Sequence, residues 1–367
     1  MLQEYSAYDW LDGRAAEGHS RTAGIVRPMH HPAANPLRIE SLRVESRLLC
    51  GNRQGDPFER ELLVVLPPGY HATDRRYPVV FLLAGFAGFG ATLLARACFE
   101  EAIDQRLARL YAHGCPPAIV VLPDCCTRLG GAQYVDSPTL GPYASHLLDE
   151  LLPLVDSRYR TIAGPTGHAI AGKSSGGFGA LHLALLRPGV FGAVACHSGD
   201  LGFDLCYPRD FPACADAVRR AGGVSAFLHH FFSRRRRSAE EFAAVSILAM
   251  AAAYSPDATR AEGLALPFDP VTCEIDAPTF ARWLAFDPVR RVAAEAPALR
   301  ALAALWVDCG DRDEYHLHFG ARRFARACRE FAVPLHYEEF DDGHRGTSWR
   351  YDHSLPFLLR TLAESSS

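Results

Sequence analysis

The stretch "HAIAGKSSGGFGA", residues 168–180, decides how the rest of the chain is read. A short apolar run ends in two adjacent serines, the chain's only lysine stands just before them, and four glycines fall between 172 and 179. A phosphate cradle needs the order G-x-x-x-x-G-K, with the lysine last, and Lys173 precedes both serines. Gly172-Lys173-Ser174-Ser175-Gly176 is instead a G-x-S-x-G between a strand-like and a helix-like run. In that setting the central serine sits on a tight, strained strand-to-helix turn, where small neighbours avoid clashes. Ser174 holds the central position and is the candidate nucleophile, while Ser175 can offer its backbone N–H to a developing oxyanion. Taken alone, the motif leaves a plain glycine-rich turn open.

Outward from this turn the chain alternates. "IESLRVESRLL" (39–49) and "RELLVVLP" (60–67) alternate or run apolar like strands, with "GNRQGDP" as the turn between them. "YPVVFLLAG" (77–85) and "PAIVVLPD" (117–124) are continuous apolar runs, suited to strands covered on both faces. A helix-like segment over 92–114 separates them and stops at Gly114. A helix is expected around 141–157, then strands at "HAIAG" (168–172), "FGAVACHS" (191–198), "ALWVDCG" (304–310) and "LHYEEF" (335–340). A helix lies between the last two, and another is expected at 348–362. Such alternation implies an α/β fold, with a mostly parallel central sheet and helices on both faces.

Two stretches stand outside that rhythm. Residues 1–38 are polar, carry Pro28, Pro32 and Pro36, and read as an N-terminal arm. Residues 203–285 show little strand character and are rich in alanine, phenylalanine and arginine. Within them "SAEEFAAVSILAMAAAY" (238–254) opens with a serine cap and an acidic first turn, then becomes almost wholly apolar. The expected organisation is an arm over 1–38, a core from 39–202 and 286–367, and a helical insertion over 203–285.

If Ser174 is a nucleophile, an acid and then a histidine should follow it in chain order at the same sheet edge. After "ALWVDCG" comes "DRDEYHLH", and after "LHYEEF" comes "DDGHRGTSW". Asp313 and His344 are 31 residues apart, room for one helix and one strand. His344 is the candidate base and Asp313 the acid that orients it, with Asp311 and Glu314 as close rivals. Among 16 histidines, its place after the last strand singles out His344.

A chain of 367 residues can bury a large core, and 49% hydrophobic with 22% charged residues describes an ordinary soluble protein. The net charge of −4 gives no reason to expect nucleic acid or an anionic membrane as partner. No stretch approaches the roughly 18 apolar residues of a membrane span, and the first residues lack the apolar core of a secretion signal. The 11 scattered cysteines, with no C-x-x-C pair, fit reduced thiols better than a disulfide framework or a metal site. The expectation is a soluble, cytoplasmic protein with neither metal nor cofactor.

In combination, "LLVVLPPGY", "YPVVFLLAGFAG", "IVVLPD", the long run from "HAIAGKSSGG" to "AVACHSG", "VDCGDRDEY" and "DDGHRGTSW" resemble the esterase D-type branch of the α/β-hydrolase superfamily. That branch includes feruloyl esterases, S-formylglutathione hydrolases and mycolyltransferases. The resemblance covers most of 40–200 and 283–360. It implies an α/β-hydrolase fold without a cofactor, with Ser174 as nucleophile, Asp313 as acid and His344 as base. It also implies an oxyanion hole made by the backbone N–H groups of Phe86 and Ser175. Ala84 stands where the family usually has a histidine before the glycine of the oxyanion turn. The insertion at 203–285 is longer than in compact members, and is expected to be a helical cap over the site.

The activity so implied is that of a serine carboxylesterase, with a small-molecule ester as substrate and an acyl-enzyme on Ser174. The alternatives are an acyltransferase with an alcohol acceptor, and a non-catalytic ligand-binding module on the same scaffold. A homo-oligomeric contact through the arm or the cap is left open. Lys173 either attracts a substrate carboxylate, steadies an acidic neighbour, or is an exposed side chain beside the serine. Phe89, with Phe86, either lines an acyl pocket or belongs to the core. Trp349 either walls the site or packs the final helix, and the arginine run at 234–237 reads as a solvated face. On this reading Ser174→Ala lowers kcat by up to about a million-fold, and Ser175→Ala by far less, because only its backbone is used. Steady-state ester hydrolysis by both variants checks this; a dead Ser175→Ala beside an active Ser174→Ala places the turn one residue off.

Overall fold

Eight strands form one sheet in the computed structural model, which describes residues 37–365. The arm expected over 1–38 lies, apart from its last two residues, outside the described residues. The strands are β1 (Arg38–Glu45), β2 (Glu59–Leu66), β3 (Val79–Leu83), β4 (Ile119–Pro123), β5 (His168–Lys173), β6 (Ala193–His197), β7 (Ala304–Gly310) and β8 (His336–Phe340). Their spatial order is β1-β2-β4-β3-β5-β6-β7-β8. Only β2 runs against its neighbours; every pair from β4 to β8 is parallel. The continuous apolar runs became β3 and β4, which like β6 and β7 are buried along their whole length, as strands covered on both faces must be. The alternating run became β1, an edge strand whose side chains are by turns half-buried and exposed.

The period of two along each strand divides the core. On β5, Ile170 joins one apolar cluster while Ala169 and Ala171 join the other. Helices α1 (Ile103–Ala112) and, at the end of the chain, α10 (Tyr351–Ser365) cover the second cluster through Leu107 and Leu355. The first cluster lies against α3 (Ser175–Leu186), α8 (Pro288–Arg300) and α9 (Leu317–Glu330), through Leu181, Val292 and Phe324. Between α1 and α3 a chain of helical turns from Tyr143 passes through one π-helical stretch, His146–Leu151, into α2 (Leu152–Arg158).

The helix expected over 92–114 is broken. A short 3-10 turn spans Gly90–Leu94, and α1 begins only at Ile103. Thr92 folds back so that its hydroxyl donates to the Phe89 carbonyl, and Arg96 reaches over the break to the buried Asp104 at 2.6 Å. Both sides carry good helix formers, so propensity alone does not set the break.

The insertion folds as α4 (Phe211–Ala221), α5 (Val224–Ser233), α6 (Ala239–Tyr254) and α7 (Ala277–Leu284). Ser238 caps α6 as a full capping box: its hydroxyl accepts from the Glu241 N–H at 3.2 Å, and Glu241 accepts from the Ser238 N–H at 2.8 Å. Beyond Ala243 nearly every residue of α6 is buried, in the same cluster as α3 and β5. The Tyr254 ring meets Phe178 of α3 at 5.9 Å and Trp283 of α7 at 5.7 Å. The insertion therefore shares the domain's core. No helix among the described residues is long and apolar enough to cross a membrane.

Two glycines let α3 start against the sheet. A Cβ on Gly176 would stand 2.3 Å from the Leu83 carbonyl oxygen, and one on Gly172 would stand 2.3 Å from that of Gly176. Gly176→Ala should destabilise the protein by about 1–3 kcal/mol, the usual cost of overpacking. Urea unfolding measures it, and an unchanged midpoint would contradict so close an approach.

Candidate active site

Ser174 sits at the end of β5 with φ 58° and ψ −127°, a left-handed conformation that costs an ordinary residue about 1–3 kcal/mol. Its N–H donates to the His197 carbonyl at 2.9 Å, and its carbonyl accepts from the Phe178 N–H at 3.0 Å, the first bond of α3. No side chain caps α3, whose start carries the positive end of the helix dipole. Among the described residues the N–H groups of Ser175 and Phe86 have no acceptor. The Phe86 carbonyl, by contrast, is fixed by the Gly131 N–H at 2.7 Å. Ser175 follows the serine directly, and the chain just before Phe86 comes close to it, since a Cβ on Gly85 would stand 3.5 Å from Ser174 Cβ.

His344 lies on the loop after β8, and its Nδ1 is 2.7 Å from Asp313 Oδ2. Burial alone would raise the Asp313 carboxyl, but the hydrogen bond and charge of His344 outweigh it and hold Asp313 below the usual carboxylate range. An ionised carboxylate only accepts, so His344 Nδ1–H is the donor in this pair. The other oxygen, Oδ1, accepts from the Tyr315 N–H at 2.9 Å and the Leu317 N–H at 3.4 Å, in the turn that opens α9. The rivals have other places. Asp311 is exposed, and Glu314 accepts from the backbone N–H of His344 at 2.7 Å. Ser174 Oγ makes no hydrogen bond to His344 among the described contacts.

The remaining candidates divide. Lys173 is half-buried, not exposed; burial lowers its pKa against the pull of Asp313 and Glu100. Phe89 is half-buried at the head of the 3-10 turn, where its N–H donates to Thr92 Oγ1 at 3.1 Å. Trp349 packs the final helix: its ring meets Phe340 at 5.3 Å and His353 at 5.7 Å, with Arg350 over it at 4.9 Å.

Sequence reasoning missed the work of the Ser175 side chain. Its hydroxyl donates to Asp200 Oδ2 at 3.0 Å and accepts from Gln133 Nε2 at 3.0 Å, so Ser175→Ala also breaks a buried polar link. Asp200 was visible as an acid directly after β6, in "HSGD"; Gln133 carried no signal at all.

A hydrogen-bonded Ser–His–Asp set lies behind the Ser174 turn, on the residue whose carbonyl holds Ser174. His197 Nε2 is 2.8 Å from Ser354 Oγ, and its Nδ1 is 2.8 Å from Asp308 Oδ1. All three are buried, with His197 2% exposed and the others 0%. Asp308 also accepts from Arg350 Nε and Trp306 Nε1, each at 2.8 Å. No substrate reaches this set, and it braces the strand whose His197 carbonyl holds Ser174. A fluorophosphonate should therefore label wild-type protein and Ser354→Ala but not Ser174→Ala, as gel fluorescence will report. Labelling lost in Ser354→Ala and kept in Ser174→Ala would exchange the two sets.

Solved structures share this architecture. A ferulic acid esterase aligns over 89% of this chain and 99% of its own, with a TM-score of 0.58 at 21% identity. An S-formylglutathione hydrolase from Agrobacterium tumefaciens aligns over 90% and 96%, with a TM-score of 0.51 at 15% identity. At such identities the likeness shows the fold, that of the α/β-hydrolases. Esterase Rv1288 of Mycobacterium tuberculosis is 32% identical over 184 residues, 48% of this chain and 38% of that protein. YbbA of Bacillus subtilis, an uncharacterized protein, is 24% identical over 156 residues, 40% of this chain and 58% of its own. The chain thus matches less than two thirds of the length of these relatives. The family model described as Putative esterase matches residues 57–355, a span that takes in Ser174, Asp313 and His344, and the chain belongs to that family.

Proposed function

We propose that this protein is a serine carboxylesterase that works through an acyl-enzyme on Ser174. The observation that carries the reading is the buried Asp313–His344 pair, joined at 2.7 Å on the loops that follow β7 and β8 in the same family-matched domain as the strained Ser174 turn. Ser174 Oγ attacks the ester carbonyl carbon while its proton passes to His344 Nε2. The carbonyl oxygen becomes an oxyanion and accepts from the free N–H groups of Phe86 and Ser175, donors that need no reorganisation as charge develops. Asp313 stays ionised and stabilises the imidazolium. The C–O bond to the alcohol breaks, the leaving alkoxide takes the proton from His344, and the acyl group remains on Ser174. Water then attacks, gives its proton to His344, and the acid leaves as Ser174 recovers its proton. The serine–histidine hydrogen bond forms with substrate in place, as such bonds often tighten only in the complex.

The insertion at 203–285 serves in this reading as a cap that selects the acyl group. Two contacts support it. Phe242 at the start of α6, 42% exposed, stands edge-on to Phe86 at 5.8 Å, and the Arg209 side chain donates to the Glu314 carbonyl beside the acid. Lys173 and Phe89 remain candidates for substrate contact at the same rim.

Steady-state kinetics on p-nitrophenyl esters of rising chain length tests both parts. Asp313→Asn should lower kcat by about four orders of magnitude, by analogy with loss of the orienting acid in serine proteases, and Glu314→Gln far less. Phe242→Ala should shift chain-length preference through KM while turnover of the acetate ester survives. A near wild-type kcat in Asp313→Asn, with collapse in Glu314→Gln, would reassign the acid; an unchanged preference in Phe242→Ala would remove that residue from substrate selection.

A further inference from the structure

We propose that Gln133 and Tyr134 are positioning residues that hold the two oxyanion donors in register with each other. The proposal rests on the reading of Ser174 as nucleophile and of the Phe86 and Ser175 N–H groups as its oxyanion hole. Those two donors belong to different parts of the chain, one on the loop after β3 and one at the start of α3, and nothing covalent fixes their spacing. Segment 130–134 touches both. On the loop side, the Tyr134 hydroxyl donates to the Ala84 carbonyl at 2.6 Å, and the Gly131 N–H donates to the Phe86 carbonyl at 2.7 Å. On the helix side, Gln133 Nε2 donates to Ser175 Oγ at 3.0 Å.

The backbone of the segment is bent for this purpose. Gln133 and Tyr134 both have φ 55°, two successive non-glycine residues in the left-handed region. Such conformations persist where the surroundings over-determine them, and they cluster at functional sites. Both residues are buried, at 0% and 4% exposure. The helix makes room for them, since a Cβ on Gly179 of α3 would lie 2.4 Å from the Tyr134 ring.

The brace is also closed on its far side. Ser175 Oγ donates to Asp200 Oδ2, which accepts from the Tyr207 hydroxyl at 3.1 Å, while the Tyr254 hydroxyl donates to Gln133 Oε1 at 3.3 Å. The Gln133 amide is thereby fixed in orientation, oxygen toward the insertion and nitrogen toward Ser175. An oxyanion donor stabilises developing charge only at hydrogen-bond distance, so a displacement of an ångström is felt in turnover more than in ground-state binding.

Two variants test this with little disturbance. Tyr134→Phe keeps the ring against Gly179 and removes only the hydroxyl. Gln133→Asn keeps an amide and suits a left-handed backbone, but falls one methylene short of Ser175. Each should lower kcat on p-nitrophenyl acetate about tenfold or more, with KM changed by less than about threefold. The inhibition constant of a trifluoromethyl ketone, whose adduct carries the oxyanion, should rise by the factor by which kcat/KM falls. A lower melting temperature with kcat and inhibition constant unchanged would make the segment structural only and overturn the proposal. If Gln133→Asn does not accumulate as folded protein, Tyr134→Phe alone decides. Hydrolysis that survives Ser174→Ala overturns the underlying reading as well; wild-type kcat in both variants of an enzyme that Ser174→Ala inactivates overturns this inference alone.

Discussion

The left-handed backbone of Ser174 persists because the chain around it leaves no lower place to go. Its N–H is held by the His197 carbonyl of β6, and its carbonyl already belongs to the first turn of α3. The turn between them is tight enough that glycine is required at 172 and 176. The holding strand is itself braced from below, by Ser354 and Asp308 on the two ring nitrogens of His197 and by Arg350 on Asp308. Strain at one residue is thus offset by a buried polar network that has no route to substrate. Its product is geometric: the serine hydroxyl and the uncapped start of a helix are presented together at the sheet edge.

The parallel strands decide what else arrives there. Asp313 follows β7 and His344 follows β8, and both strands end on the edge where β5 ends. Asp313 is then buried in a turn whose N–H groups satisfy one oxygen, leaving the other for the ring of His344. Burial and pairing act on it in opposite directions, and pairing wins. That balance keeps the acid ionised and sets the histidine tautomer, which is the condition for Nε2 to act as a base.

The central strands were legible because a strand covered on both faces has to be an unbroken apolar run. "ALWVDCG" is β7 residue for residue, and "PAIVVLPD" contains β4. The sharp turn at Ser174 and the pairing of Asp313 with His344 were legible because chain order and the ends of strands constrain them. The break before α1 was not, since Arg96 and Asp104 pair across it in a way no local propensity records. Nor was the link between Gln133 and Ser175, 42 residues apart, because side-chain pairing at that range leaves no spacing rule. The motif left Lys173 between a contact with an acidic group and an exposed side chain, and the structure half-buries it. The apolar character of α6 was plain, but not that it belongs to the shared core as well as to the rim.

The account stands on a covalent acyl group at Ser174. Acid-quenching the enzyme during turnover of p-nitrophenyl butyrate, then weighing the intact protein and mapping its peptides by mass spectrometry, tests this most directly. The account predicts a butyryl adduct on the peptide that contains Ser174, on that serine, and none in Ser174→Ala. An adduct on Ser175 or Ser354, or full hydrolysis by Ser174→Ala without an adduct, would contradict it.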